Sequence, residues 1–113
     1  MTESKWLSVL VNQQTVFEYD RSTSIEAAQS TYLDTMDVAM RRGLKIHGEL
    51  IINPDKMQRA RFVALNLIKA LQQDNEAVIS VACAYLVSRC PALREVQAND
   101  EGTSVEITLV EKP

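Results

Sequence analysis

Residues 76–90, EAVISVACAYLVSRC, carry apolar side chains at Val78, Ile79, Val81, Ala82, Leu86 and Val87. At 100° per residue these point in every direction around a helix. A helix that is apolar all round has no side to give to water, so the rest of the chain must be arranged around it. Asp74-Asn75 breaks the pattern before the stretch, and Pro91 stops it afterwards. The expectation is a central apolar helix over about 76–90.

What surrounds that helix is limited by length and by the scarcity of breakers. A chain of 113 residues suits a single globular domain, 1–113, burying about two-thirds of its unfolded surface. Three glycines and three prolines point to long regular elements and short connections, and against a many-stranded sandwich with a turn every ten residues or so.

A second helix is predicted in NPDKMQRARFVALNLIKALQQ, with Asn53 as N-cap, Pro54 at the first helical position and Asp55 in the first turn. Its apolar stripe runs through Met57, Ala60, Ala64, Leu67 and Leu71. A third is predicted over about 24–42, opened by a capping box between Thr23 and Glu26 and closed at Gly43. The C-terminal stretch alternates at Val105, Ile107 and Leu109 behind Asn-Asp-Glu-Gly, which reads as a β-hairpin over about 93–110. GLKIHGELIIN reads as a short strand joining the same sheet. Residues 5–19 fit both a hairpin and a helix. The absence of Gly, Asn-Gly or Asp-Gly near 12–14 favours helix. The fold class expected is therefore α+β and mainly helical, with three or four helices around the central one and a C-terminal hairpin.

The N-terminal residues lack the basic start and long apolar centre of a secretory signal, and no apolar stretch approaches the roughly 20 residues that span a bilayer. A cytoplasmic protein with no membrane partner is expected, and its general look is that of a small bacterial one. Cys83 and Cys90, seven apart on one helix, would have Cα atoms about 10 Å apart, too far for a disulfide. They are expected to be free, buried thiols.

Chemistry is hard to find. His47 is the single histidine, with no ligand partner at metal-binding spacing. No GxSxG, GxGxxG or GxxxxGK occurs. Cys90 would lie at a helix C-terminus, which disfavours a thiolate. Asp34 and Asp37 share the polar face of the 24–42 helix, where Asp37 is placed to pair with Arg41. No catalytic residue, metal site or cofactor is assigned.

Charge is unevenly distributed. Residues 41–73 hold seven bases and two acids, net +5, between segments of net −4 each, in a chain of net charge −3. Lys56, Arg59, Lys69, Arg41 and Arg42 are the candidate anion- or partner-binding residues. Lys56 and Arg59 share a face beside the helix's positive end. The flanking acids are expected to neutralise this basic middle within the molecule. Phe62 faces away from the core stripe of its helix and is the candidate interaction aromatic.

The function expected is a non-catalytic protein-interaction module, either self-associating or docking on a larger partner. The alternative is a nucleic-acid- or phosphate-binding accessory using the basic segment 41–69, disfavoured by the net negative charge and the scarcity of aromatics. A second alternative is a small enzyme or ligand-binding protein whose pocket leaves no mark in the sequence.

Overall fold

The computed structural model describes residues 5–23, 27–102 and 104–111, and for residues 27 and 28 the backbone only. Along the chain come β1 (Trp6–Val11), β2 (Gln14–Asp20), α1 (Ala27–Arg41), β3 (Leu44–Ile46), β4 (Glu49–Ile51), α2 (Lys56–Gln72), α3 (Glu76–Arg89), β5 (Leu93–Asp100) and β6 (Val105–Glu111). The class is α+β, but the expectation of a mainly helical domain is overturned. Three helices face a four-stranded sheet of order β2-β1-β5-β6. Its two inner strands, β1 and β5, run parallel, and each carries an antiparallel hairpin partner on its outer side.

The largest difference lies in residues 5–19, which form the β1–β2 hairpin and not a helix. Its turn is Asn12-Gln13, with φ of 50° and 71°, the positive pair that a two-residue hairpin turn of right-handed twist requires. Glycine is absent because asparagine tolerates this region and because the turn is held from outside. Asn12 N–H donates to Ala98 O at 2.9 Å, and Asn12 Oδ1 accepts from Asp100 N–H at 2.9 Å.

Leu7, Val9 and Val96 are fully buried on the sheet's inner face, beneath the helices. Trp6, Ser8 and Leu10 alternate onto the opposite face, which no other element covers to the same degree. α3 is largely but not wholly enclosed: Ile79, Ala82, Cys83, Ala84, Tyr85 and Leu86 are buried. Val81 and Val87 are half-buried and Val78 is exposed, so the expected burial all round is not met.

The entry to α2 also differs from expectation. The N-cap is Asp55, not Asn53, and it makes a reciprocal capping box with Gln58: each side chain accepts from the other's backbone N–H at 2.8 Å. Asn53 lies outside the helix at φ 52°. The second half of the Thr23–Glu26 capping box falls outside the described residues.

β3 and β4 make a separate two-stranded ribbon and do not join the large sheet. Its turn, His47-Gly48, has φ of 53° and 79°, and His47 Nε2 lies 2.8 Å from Val105 O, which ties the ribbon to the start of β6. No helix among the described residues is long and apolar enough to cross a membrane.

Both cysteines are free and buried. Burial pushes the Cys83 thiol up to about 12. It also raises Cys90, against the opposing charge of Lys56. A rise from 9.0 to about 12 lowers the reactive thiolate fraction of Cys83 roughly a thousandfold at neutral pH. Labelling by a thiol reagent, followed by mass spectrometry, should be slow in the native protein and complete on denaturation. Labelling of native Cys83 at the rate of a free peptide thiol would contradict this environment.

Candidate functional site

α2 and α3 pack against each other, and α1 contacts α3. Two features result, one apolar and one polar.

The apolar feature is a groove of about 530 Å³ between the three helices, within the range of ligand-binding clefts. Tyr32 and Met36 line it from α1, Phe62 and Asn66 from α2, and Val78 and Val81 from α3. Small residues deepen it, with Ala70 and Ala82 at its floor. Tyr32 at 53% and Val78 at 39% exposure form its lips. The sequence sets this up directly. Phe62, Asn66, Lys69 and Gln73 follow one another at helical spacing on the side of α2 away from the sheet. Lys69 is the single charged side chain in the lining, and it makes no ion pair with the described residues. The lining holds no carboxylate, imidazole, thiol or aliphatic hydroxyl.

The polar feature joins all three helices at one carboxylate. Tyr85 Oη donates a short hydrogen bond to Asp37 Oδ1, and Arg89 Nε donates to Asp37 Oδ2 at 3.0 Å. Arg59 Nε lies 3.4 Å from Asp37 Oδ1, while Arg59 Nη1 donates to Pro54 O at 3.0 Å. Arg89 also reaches Asp34 at 2.7 Å and lies over the Tyr85 ring. Burial pushes the Asp37 carboxyl up. The hydrogen bonds from Tyr85 and Arg89 and the two arginine charges push it further down, so the net shift is downward. Burial, with Asp37 as its neighbour, pushes the Tyr85 phenol up to about 12. An ionised acid and a phenol made more reluctant to ionise form a clamp, not a proton-transfer pair.

The candidate residues are thus dispersed. Phe62 and Lys69 meet in the groove. Phe62 is half-buried and lines the groove opposite Tyr32 and Met36 of α1. Arg59 turns inward to Asp37, so Lys56 and Arg59 do not form a joint anion grip. Lys56 is exposed at the start of α2, and Arg41 and Arg42 are exposed at the end of α1.

The internal neutralisation expected for the basic middle is not found at contact distance. Of its seven bases, Arg59 is the one with an ion pair among the described residues. Asp37 pairs with Arg89 and Arg59, not with Arg41.

Tyr32, Met36 and Val78 were not singled out by their sequence. Each belongs to an apolar stripe that reads as core, and the groove lies where residues of α1, α2 and α3 face one another without filling the space between them. No family model matches the chain, and neither does any curated protein or solved structure.

Proposed function

We propose that the protein is a non-catalytic interaction module, and that the groove seats an apolar helix of a partner protein with a carboxylate placed against Lys69. The observation that carries this reading is a helix-walled apolar groove whose one charge is an unpaired cation. Helix-in-groove recognition uses such a surface, with anchors at i, i+3, i+4 and i+7. Met36 and Met40 in the lining adapt to irregular side chains.

A second copy using the same groove would bring Lys69 against Lys69, which argues for a different partner at this site. The nucleic-acid reading is weakened by the dispersal of its residues: Arg59 is used internally, Lys69 faces the groove, and Arg41 and Arg42 lie at the end of α1. The two buried free thiols support a reducing, cytoplasmic compartment.

A displayed library of helical peptides, panned against the protein, tests this. Enriched sequences should carry an apolar stripe and an adjacent acid. Tyr32→Asp with Val78→Asp should weaken them at least about tenfold, and Lys69→Glu should turn the preference from acidic to basic. Peptides that bind the doubly substituted protein equally well would refute the groove as the docking site.

A further inference from the structure

Beyond the groove, the β3–β4 ribbon carries an unusual outer face. In the ribbon Leu44 pairs with Ile51 and Lys45 with Leu50. Leu44 is buried while Lys45 and Leu50 are exposed, so alternation places Lys45, Leu50 and Ile52 together on the outer side. Leu50 is 56% exposed and Ile52 66%, more than any other large apolar side chain described. Both lie over Gly43: a Cβ there would meet the δ carbons of Leu50 and Ile52 at 3.5 Å. Arg41 and Arg42 immediately precede this glycine. Like Lys45, they have no ion pair or hydrogen-bond partner through their side chains among the described residues. The ribbon is an apolar knob with a basic border.

The same chain carries a surface of the opposite kind. On the uncovered face of the large sheet, Ser8 stands between Glu18 on β2 and Glu95 on β5, and Glu95 is followed by Val110 on β6. The next row runs Thr15, Leu10, Gln97 and Thr108. Gln97 Nε2 donates to Glu95 Oε1 at 2.8 Å, and among the described residues no base pairs with Glu18 or Glu95. This face offers two carboxylates, with Leu10 and Val110 among neutral polar side chains, and it is the counterpart of the knob in charge.

We infer that the basic ribbon of one copy docks on the acidic sheet face of another. The contact is heterologous, head to tail, so it propagates into rings or short chains and does not stop at a symmetric dimer. A nucleic acid would gain nothing from Leu50 and Ile52, and the ribbon carries no Phe, Tyr or Trp for stacking. An anionic membrane would use both features of the knob but would leave the acidic face unexplained. Four strands at about 4.8 Å spacing and about 20 Å of length make a face of roughly 400 Å² per partner. That lies below the size of stable interfaces, so the association is weak and salt-sensitive.

Sedimentation equilibrium between about 10 µM and 1 mM, a range suited to a small interface, tests this. At low salt the average mass should rise above the 12.7 kDa monomer, and it should return to the monomer near 0.5 M salt as the charges are screened. Arg42→Glu with Lys45→Glu should be monomeric at low salt, and so should Glu18→Lys with Glu95→Lys. Arg42, Lys45 and Glu18 are exposed and Glu95 is half-buried, and circular dichroism checks that the fold is kept. Leu50→Ser with Ile52→Ser offers an uncharged second route to the same loss. The decisive sample is a mixture of the two charge-reversed proteins, in which each acidic ribbon meets a basic face and the mass rise returns.

A monomeric wild type at all concentrations would overturn the inference. So would association that survives either reversal, or a mixture that stays monomeric. If the wild type stays monomeric but binds phosphatidylserine vesicles or RNA through Arg42 and Lys45, the ribbon serves a lipid or a nucleic acid instead. The groove and its peptide ligands are untouched by these changes, so each proposal fails on its own.

Discussion

Ala84→Asp is expected to leave almost no folded protein. Ala84 is fully buried in α3, the helix around which the other elements are arranged. An unpaired buried charge costs several kcal/mol against a total stability of about 5–15 kcal/mol for a domain. Ala82→Asp, two residues earlier, should cost less although that site is only 3% exposed. Ala82 floors the groove, through which an aspartate can reach water. Thermal melts of the two variants, followed by circular dichroism, check both claims. A cooperative melt near the wild-type temperature for Ala84→Asp would show that α3 is not the centre of the core.

The second large effect belongs to Asp37. Asp37→Ala strips Arg59 and Arg89 of their shared acid and removes the acceptor of the Tyr85 hydroxyl. For fully buried pairs such a loss costs about 3–5 kcal/mol. The three charged side chains here are 16–23% exposed, so about 2–3 kcal/mol is expected once solvent screening is allowed for. Chemical denaturation gives the value directly. Tyr85→Phe should cost less, about 1–2 kcal/mol, since one hydrogen bond to a charged group is lost while the ring stays in place.

The clamp also predicts a pH dependence of definite sign. The folded carboxyl of Asp37 ionises below its ordinary value. Its contribution is therefore fully present above the unfolded value near 3.9 and is lost as pH falls through it toward the lower folded value. Below about pH 4 the wild type should lose melting temperature more steeply than Asp37→Ala. Parallel curves would remove the electrostatic account of the clamp.

The parts of the fold legible in the sequence are those whose determinants are local. The apolar residues of 76–90 announced a largely buried helix, though not the exposure of Val78, and the alternation of Val105, Ile107 and Leu109 announced β6. The β1–β2 hairpin was not legible, because the two hydrogen bonds that hold the Asn12 turn come from Ala98 and Asp100, at the far end of the chain. Without them Asn12-Gln13 is a weak turn sequence, and the apolar spacing of residues 6–17 suits a helix equally well. Asp37 fails to read correctly for the same reason. Its i, i+4 neighbour Arg41 is visible in the sequence, while Arg59, Tyr85 and Arg89 reach it only once three helices have packed. The site was half legible. Phe62 and Lys69 stand out as a face of α2 opposed to its core stripe, whereas the α1 and α3 walls of the groove look like ordinary core residues until the tertiary packing leaves Tyr32 and Val78 exposed.

The parallel pairing of β1 with β5 ties the beginning of the chain to its end, and this orders events during synthesis. A lone two-stranded hairpin is marginally stable in water, and the strand that completes its sheet, β5, is made only after all three helices. At about 5–20 residues per second, β1 waits roughly 5–20 s for β5. Through that interval Leu7 and Val9, both fully buried in the finished domain, have no sheet neighbour on one side. α2 and α3, adjacent in sequence, can pair in the meantime because closing a short connection costs little entropy. The helices are then available as a surface on which the two distant hairpins meet, and the domain becomes complete only after translation of its final strands.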